Sequence, residues 1–324
     1  MTTRRSVLKG TLSLMLAASA MTTLAPLGAA AKAPQVKTAA PGYYRMMLGD
    51  FEITALSDGT AKFPAETLYI GAKDQIAAML TKAFLDSPVE LSVNVFLVNT
   101  NERLVMIDAG TGDFFGPTLG KLIPNLVAAG YQPEQIDDII LTHAHVDHLG
   151  GLVAGDRIVF PNATVHLNSR DADFWLSAAN RDAAPEAKKD LFSAAVKALA
   201  PYRNAGRLKT FADGAEPVPG FKSTLRAGHT LGHSAITVES KGQKLVFWGD
   251  ITHGDVVQFD EPDVTIGFDE DPAAAASARD AAFAEAVKEG YLVAGAHIRF
   301  PGIGHVGTDS DNFDWVPLNY SVTP

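Results

Sequence analysis

Residues 142 to 151 read Thr142-His143-Ala144-His145-Val146-Asp147-His148-Leu149-Gly150-Gly151. Three imidazoles and one carboxylate fall within six residues, and both groups bind borderline divalent metals. The preceding run, Ile136 to Leu141 (Ile-Asp-Asp-Ile-Ile-Leu), has the composition of a buried strand. The metal-binding groups therefore sit where a strand runs out into a loop, the usual position for chemistry in an α/β sheet. In an extended segment side chains alternate, so His143 and His145 point the same way and share one ion. Asp147 and His148 are neighbours, so they diverge and serve a second. A loop of merely solvated histidines would not concentrate its ligands in this way.

The same geometry recurs further along the chain. His229 lies in Gly228-His229-Thr230-Leu231-Gly232-His233, whose glycines permit close backbone approach. Asp250 ends the apolar run from Leu245 to Gly249, and His297 follows the run from Leu292 to Ala296. Each alone reads as a hydrogen-bonded structural residue. Together with the first motif they make a donor set for two metals, with Asp250 as the natural bridge because a carboxylate has two oxygens.

Composition excludes several alternatives. The 324 residues are 47% hydrophobic and 20% charged, ordinary for a globular chain. A formal charge of -10 argues against a nucleic-acid partner, which needs a basic face. With no cysteine, disulfides and thiolate ligands are excluded, and any metal is held by His and carboxylate. Zinc is the first expectation, with manganese, cobalt and iron compatible with the same donors.

The first residues carry a compartment signal. Thr3 to Lys9 (Thr-Arg-Arg-Ser-Val-Leu-Lys) is a twin-arginine pattern, followed by an Ala/Leu-rich stretch from Thr11 to Leu27 and an Ala-x-Ala site. A cleaved twin-arginine signal over residues 1–31 is expected, then a Pro/Ala/Lys linker over 32–40, then one hydrolase-sized domain over 41–324. Pro26 and several Thr and Ser make the apolar stretch a poor membrane anchor. The mature protein is expected in the periplasm or outside the cell, with no membrane attachment.

Periodicity predicts strands over Tyr43–Asp58 with a turn at Gly49-Asp50, and a hairpin of Val93–Val98 with Arg103–Asp108. Apolar residues at three-and-four spacing predict a helix from Pro117 to Ala129. A helical region from Asp171 to Leu199, broken near Pro185, is followed by strands near Lys209–Phe211, Lys222–Leu225, Ala235–Glu239 and Lys244–Trp248. Asp271 and Pro272 start a helix that Gly290 ends, and Tyr291–Ala296 is the last core strand. No linker divides the ligands of the two halves. One domain of two packed sheets flanked by helices is expected.

The set His143-x-His145-x-Asp147-His148, His229, Asp250 and His297 resembles the binuclear ligand pattern of the metallo-β-lactamase superfamily. The resemblance extends to one branch, methyl parathion hydrolase and its dihydrocoumarin-type lactone- and aryl-ester-hydrolysing relatives. It is carried by residues 41–60, Phe115 to Gly120 (Phe-Gly-Pro-Thr-Leu-Gly), Ala129 to Gln135 (Ala-Gly-Tyr-Gln-Pro-Glu-Gln) and Phe300 to His305 (Phe-Pro-Gly-Ile-Gly-His). It implies an α/β fold, the αββα sandwich, and a homodimer. It also implies that His143, His145 and His229 hold one metal, Asp147, His148 and His297 the other, and that Asp250 bridges them. Asp250 and Asp147 are then the carboxylates at the reacting centre.

Around that centre Phe115, Trp175 and Phe192 are expected to meet substrate, and Asp108 and His233 to orient ligands. His253, Ile266 and Phe268 stand where phosphotriester-hydrolysing members carry Leu, Thr and Leu. Bulkier Ile and Phe should narrow the pocket and favour a flat lactone or aryl ester. With no Gly-x-Ser-x-Gly elbow and no Cys, the expected nucleophile is hydroxide formed from water between two ions. It would attack a small-molecule lactone or ester, and organophosphate triesters as a by-reaction. A methyl-parathion-type phosphotriesterase is the alternative. An iron-dependent oxidoreductase of the same fold is the alternative from another class.

Overall fold

The computed structural model describes residues 33–309 and 312–323. The expected signal segment, 1–31, lies outside them. Residues 33–40 are exposed and carry no helix or strand, and from Ala40 onward the chain forms one compact unit.

Strands β1 (Tyr43–Leu48) and β2 (Phe51–Phe63) turn at Gly49-Asp50, and helix α1 (Ala65–Leu68), strand β3 (Tyr69–Ile70) and helix α2 (Lys73–Lys82) follow. Next come β4 (Val89–Asn99), β5 (Leu104–Ile107), α3 (Leu122–Ala128), β6 (Asp138–Ile140) and the one-turn helix α4 (Val146–Leu149). A small ribbon, β7 (Val153–Ala154) with β8 (Arg157–Ile158), leads to β9 (Thr164–Asn168). Helices α5 (Ser169–Trp175), α6 (Ala178–Ala183) and α7 (Glu186–Asn204) precede β10 (Leu208–Phe211). The second half runs β11 (Phe221–Leu225), β12 (Ser234–Ser240), β13 (Gln243–Gly249), α8 (Val257–Asp260), β14 (Thr265–Ile266), α9 (Pro272–Glu289), β15 (Leu292–Gly295), β16 (Ile303–Asp309) and β17 (Asn312–Pro317).

One sheet has the order β1-β2-β4-β5-β6-β9-β10 and the other β11-β12-β13-β15-β16-β17. Side-chain alternation explains how they stack. On β4, Phe96 and Val98 join a core with Leu245 and Phe247 of β13, the filling between the sheets. The intervening Val95 and Leu97 face the other way, packing with Leu122 and Leu126 of α3 and Phe192 and Leu199 of α7. Val246 and Trp248 of β13 likewise turn outward, onto Ala282, Phe283 and Ala286 of α9. Helices therefore cover both outer faces, which is the αββα sandwich. Each fully buried side chain of this size contributes about 1.5–3 kcal/mol.

Strands β5, β6 and β9 are mutually parallel, as are β13 and β15. Their C-terminal ends open onto one edge of the sandwich, and register aligns the residues just beyond those ends. Ile107 lies opposite Ile140, which brings Asp108 level with Leu141 and within reach of Thr142, and Gly249 lies opposite Gly295, which brings Asp250 near His297. Helix α9 starts and stops as expected. The Asp271 side chain accepts the Ala274 N–H, Pro272 occupies the first turn and Gly290 is left-handed.

Two expectations need correction, and one feature was not expected. The helix expected from Pro117 begins only at Leu122, because the buried Asp58 carboxylate accepts the N–H groups of Thr111, Gly120 and Leu122 and pins the chain in turns before it. Strand β15 is not the last: β16 and β17 extend the second sheet beyond it. A two-stranded ribbon, β3 with β14, joins residues far apart in sequence. Among the described residues no helix is long and apolar enough to cross a membrane.

Candidate metal centre

The first motif leaves β6 under tight control. Thr142 N–H donates to Asp108 Oδ1 (2.8 Å) and Ala144 N–H to Asp171 Oδ2 (2.9 Å). His145 remains extended and caps α4, which carries Asp147 and His148. Gly150 and Gly151 end the motif because the chain passes directly over Thr111 and Ala109. A Cβ would stand 2.2 Å from one carbonyl oxygen and 2.0 Å from the other.

The side chains form three overlapping groups: His143, His145 and His229; Asp147, His148, Asp250 and His297; and His229, Asp250 and His253. Within each, the ligand atoms lie within 4.8 Å of one another. His145 Nδ1 is 2.9 Å from His229 Nε2, and His297 Nε2 is 3.3 Å from Asp147 Oδ2. Asp250 stands between the groups. Its Oδ2 is 3.1 Å from His229 Nε2, 3.2 Å from His297 Nε2 and 3.7 Å from His143 Nε2, and its Oδ1 is 3.1 Å from His148 Nε2. Asp147 and His148 converge instead of diverging, because the chain has turned from strand to helix there and successive side chains are about 100° apart.

The outward nitrogens are anchored. His148 Nδ1 meets Asp108 Oδ2, His229 Nδ1 meets Asp269 Oδ1 and His297 Nδ1 meets the Ser92 carbonyl, each at 2.9 Å. His143 Nδ1 is 3.1 Å from Thr142 Oγ1, itself bonded to Asp108. Such partners fix the tautomer and leave the inner nitrogen bare for a metal. The inner atoms fit that role: His143 Nε2, His148 Nε2 and Asp250 Oδ1 are buried and make no hydrogen bond. Buried polar atoms without partners are costly, and a divalent ion coordinated by them removes the cost.

Charge in the cluster is divided unevenly. Burial disfavours the imidazolium of every ring, and it holds His143 and His145 well below the ordinary value. For His229 and His297 burial is outweighed by the Asp250 carboxylate, which pushes them up to about 9 and about 10; His148 is raised too. Asp250 itself is held well below the carboxylate range because the surrounding imidazoles outweigh its burial. The site is an anionic focus ringed by protons that a cation displaces.

His233 takes no place in any of the three groups. Its Nε2 accepts the Asp250 backbone N–H (2.9 Å) while Nδ1 donates to the Arg226 carbonyl (3.1 Å), and burial lowers it to about 3, so it is neutral. Gly249 makes room for it: the residue is left-handed, and a Cβ would lie 2.7 Å from that Nε2. Asp108 is left-handed as well (φ 63°), a conformation that aspartate tolerates better than most residues.

The expected substrate contacts divide. Trp175 is buried, edge-on to His145 with centroids 5.3 Å apart, and it packs on Phe192 at 4.7 Å. Its Nε1 has no partner. Phe115 is half exposed. His253 belongs to the third ligand group, Ile266 is buried in the apolar cluster under α1 and α2, and Phe268 is half exposed beside Phe63. His166 and His305 make structural bonds, to Asp138 and to the Tyr291 carbonyl.

Two supporting carboxylates belong to no motif of the sequence. Asp269 anchors His229. Asp171 accepts bonds from Ala144 N, Gly232 N and Thr230 Oγ1, tying the His143 and His229 loops together, and burial raises it to about 6. Asp269 lies in the loop after β14 and Asp171 in the first turn of α5, and neither position carries a sequence signal of its own.

The family model of the metallo-beta-lactamase superfamily matches residues 88–297, well over half of the chain. The chain belongs to the metallo-beta-lactamase superfamily. Among solved structures of this superfamily, the hydrolase AbOPH is 38% identical, with a TM-score of 0.84 over 88% of this chain and 100% of that one. The superfamily fold also superimposes on AidC, a dizinc quorum-quenching lactonase solved with a product. It is 28% identical, with a TM-score of 0.80 over 86% of this chain and 98% of that one. A probable metallo-hydrolase of Mycobacterium tuberculosis is 25% identical over 186 residues, 50% of this chain. The chain spans 57% of the length of that curated relative. A superfamily member with this His/Asp cluster has the donor set for divalent metal.

Proposed function

We propose that the protein hydrolyses lactones and aryl esters at a centre of two divalent metals, zinc first among them. The observation that carries this reading is Asp250, one carboxylate within 3.1–3.7 Å of imidazoles from both ligand groups. The likeness to a dizinc lactonase over most of both chains supports it. By this reading His143, His145 and His229 hold one ion, Asp147, His148 and His297 the other, and Asp250 both.

When bound, the metals supply a Lewis acid for the carbonyl oxygen and lower the proton affinity of water. The protein's own groups do the remainder. Asp108, Asp269 and the Ser92 carbonyl keep the ligand rings in the tautomer that leaves the inner nitrogens bare. Asp147 keeps 27% of its side chain exposed while the other six ligands are buried. Its carboxylate is the group placed to take a proton from the attacking water and return it to the departing alkoxide or phenolate, as the new C–O bond forms and the scissile one breaks. Trp175 and Phe192 close an apolar wall beside His145 that excludes bulk solvent. Export through the twin-arginine route and a periplasmic location rest on the motif at residues 3–31, and a homodimer rests on the sequence resemblance.

The deciding experiment compares purified protein on dihydrocoumarin, an acyl-homoserine lactone, phenyl acetate and methyl parathion. The lactones and the aryl ester are expected to exceed the phosphotriester in kcat/KM by on the order of a hundredfold, the cost of misplacing a scissile group by about an ångström. A preference for methyl parathion would replace this reading with a phosphotriesterase.

A further inference from the structure

His253 lies three residues beyond Asp250, in the loop between β13 and α8, and is buried. Its Nε2 is 3.1 Å from Asp250 Oδ2, and its ring stacks on His297 with centroids 4.9 Å apart. The backbone holds it there. Its N–H donates to Gln258 Oε1 (2.7 Å), and its carbonyl accepts the Tyr69 hydroxyl (2.6 Å). Three roles suit such a residue: wall packing, an eighth metal ligand, or a hydrogen-bond donor to the carboxylate.

The outward nitrogens separate them. His148, His229 and His297 each have an acceptor for an Nδ1 proton, which frees Nε2 for a metal. His253 Nδ1 is buried with no partner. A neutral imidazole carries one proton, and an orphaned N–H in the interior is rarer than an unused lone pair. The proton therefore belongs on Nε2, facing Asp250. A nitrogen that bears a proton has no lone pair to offer a metal.

We propose that His253 is a positioning residue whose Nε2–H donates to Asp250 Oδ2, fixing the rotation of that carboxylate and hence its division between the two metals. This rests on the two-metal reading above. It distinguishes this chain from one with an apolar side chain at 253, which leaves the same oxygen free to turn.

The test uses cobalt(II)-loaded protein, read by visible absorption and by competition with a chelator, for wild type and His253→Gln, His253→Asn and His253→Leu. The Gln amide places an N–H where the imidazole Nε2 stood, yet its nitrogen does not ligate cobalt. The shorter Asn amide does not reach, and Leu offers nothing. His253→Gln is expected to keep the wild-type spectrum and an affinity within about threefold. Asn and Leu are expected to shift the bands and weaken binding by about 10–100-fold, the usual cost of losing such a partner. A Gln variant that falls as far as Leu would make His253 a ligand, and a Leu variant indistinguishable from wild type would make it wall packing; either overturns the proposal. Should the Leu variant fail to fold, as judged by melting of the metal-free proteins, Gln against Asn decides. Wild-type stoichiometry is read separately. One cobalt per chain with the Gln–Leu difference intact would sink the two-metal reading and leave the His253–Asp250 contact standing.

Discussion

Asp269 holds His229 with one oxygen and the β14 backbone with the other: Oδ1 is 2.9 Å from His229 Nδ1, and Oδ2 accepts the Ile266 N–H at 3.0 Å. A metal ligand and the ribbon that carries Ile266 and leads to Phe268 are thus set by a single side chain. Asp269→Ala should weaken metal binding by about 10–100-fold. It should also speed hydrogen exchange at the Ile266 amide. Metal affinity equal to wild type would show that His229 is oriented by something else.

Metal content tests the shared carboxylate. Purified protein should carry about two divalent ions per chain, and Asp250→Ala should lower the occupancy of both sites together, because the residue reaches both ligand groups. Emission spectrometry of the desalted proteins measures this. Loss of a single ion, with the other bound as in wild type, would assign Asp250 to one site alone.

Loading should also release protons. His229 and His297, raised to about 9 and about 10, and His148, also raised, are protonated near neutrality in the metal-free cluster. Each must lose its inner proton to bind a metal. Affinity should therefore fall as pH falls from 8 to 6, on the order of tenfold per pH unit for each displaced proton. Calorimetry in buffers of different ionisation enthalpy counts those protons, and an affinity flat over this range would contradict the assignment.

Away from the centre, Asp138 accepts a bond from His166 (2.8 Å) and pairs with Arg103 (2.7 Å). Burial alone would raise its carboxyl, but these two partners hold it below the ordinary 3.8. A depressed carboxyl stabilises the fold above its unfolded value and loses that contribution as pH falls through the folded one. Asp138→Asn should cost about 1–3 kcal/mol at pH 7. The gap to wild type in urea melts should close below about pH 4, near the unfolded value. A gap that persists in acid would point to packing instead.

Much of the centre is legible in the sequence because its ligands follow apolar runs that are strands, and strands in a layered sheet end at a common edge. His143, His145, His229, Asp250 and His297 announce themselves in that way. Asp269 and Asp171 do not, since an aspartate in a loop or in the first turn of a helix resembles any of the chain's 37 acidic residues until its partners are known. The relation of Asp147 to His148 is hidden because four residues are too few to display a helical period. The β3–β14 ribbon, two residues on each side, is shorter than any alternation can register. The start of α3 depends on Asp58, more than sixty positions away, and local pattern carries no trace of it.

His143 to His148 hang from the sheet that contains β6, whereas Asp250 and His297 hang from the one that contains β13 and β15. An ion gripped by both is a cross-link between the two halves of the sandwich, closing a span of about a hundred residues that the chain itself leaves open. While it stays, such an ion resists parting of the sheets at that rim, so occupancy of the centre and rigidity of the sandwich edge are linked quantities.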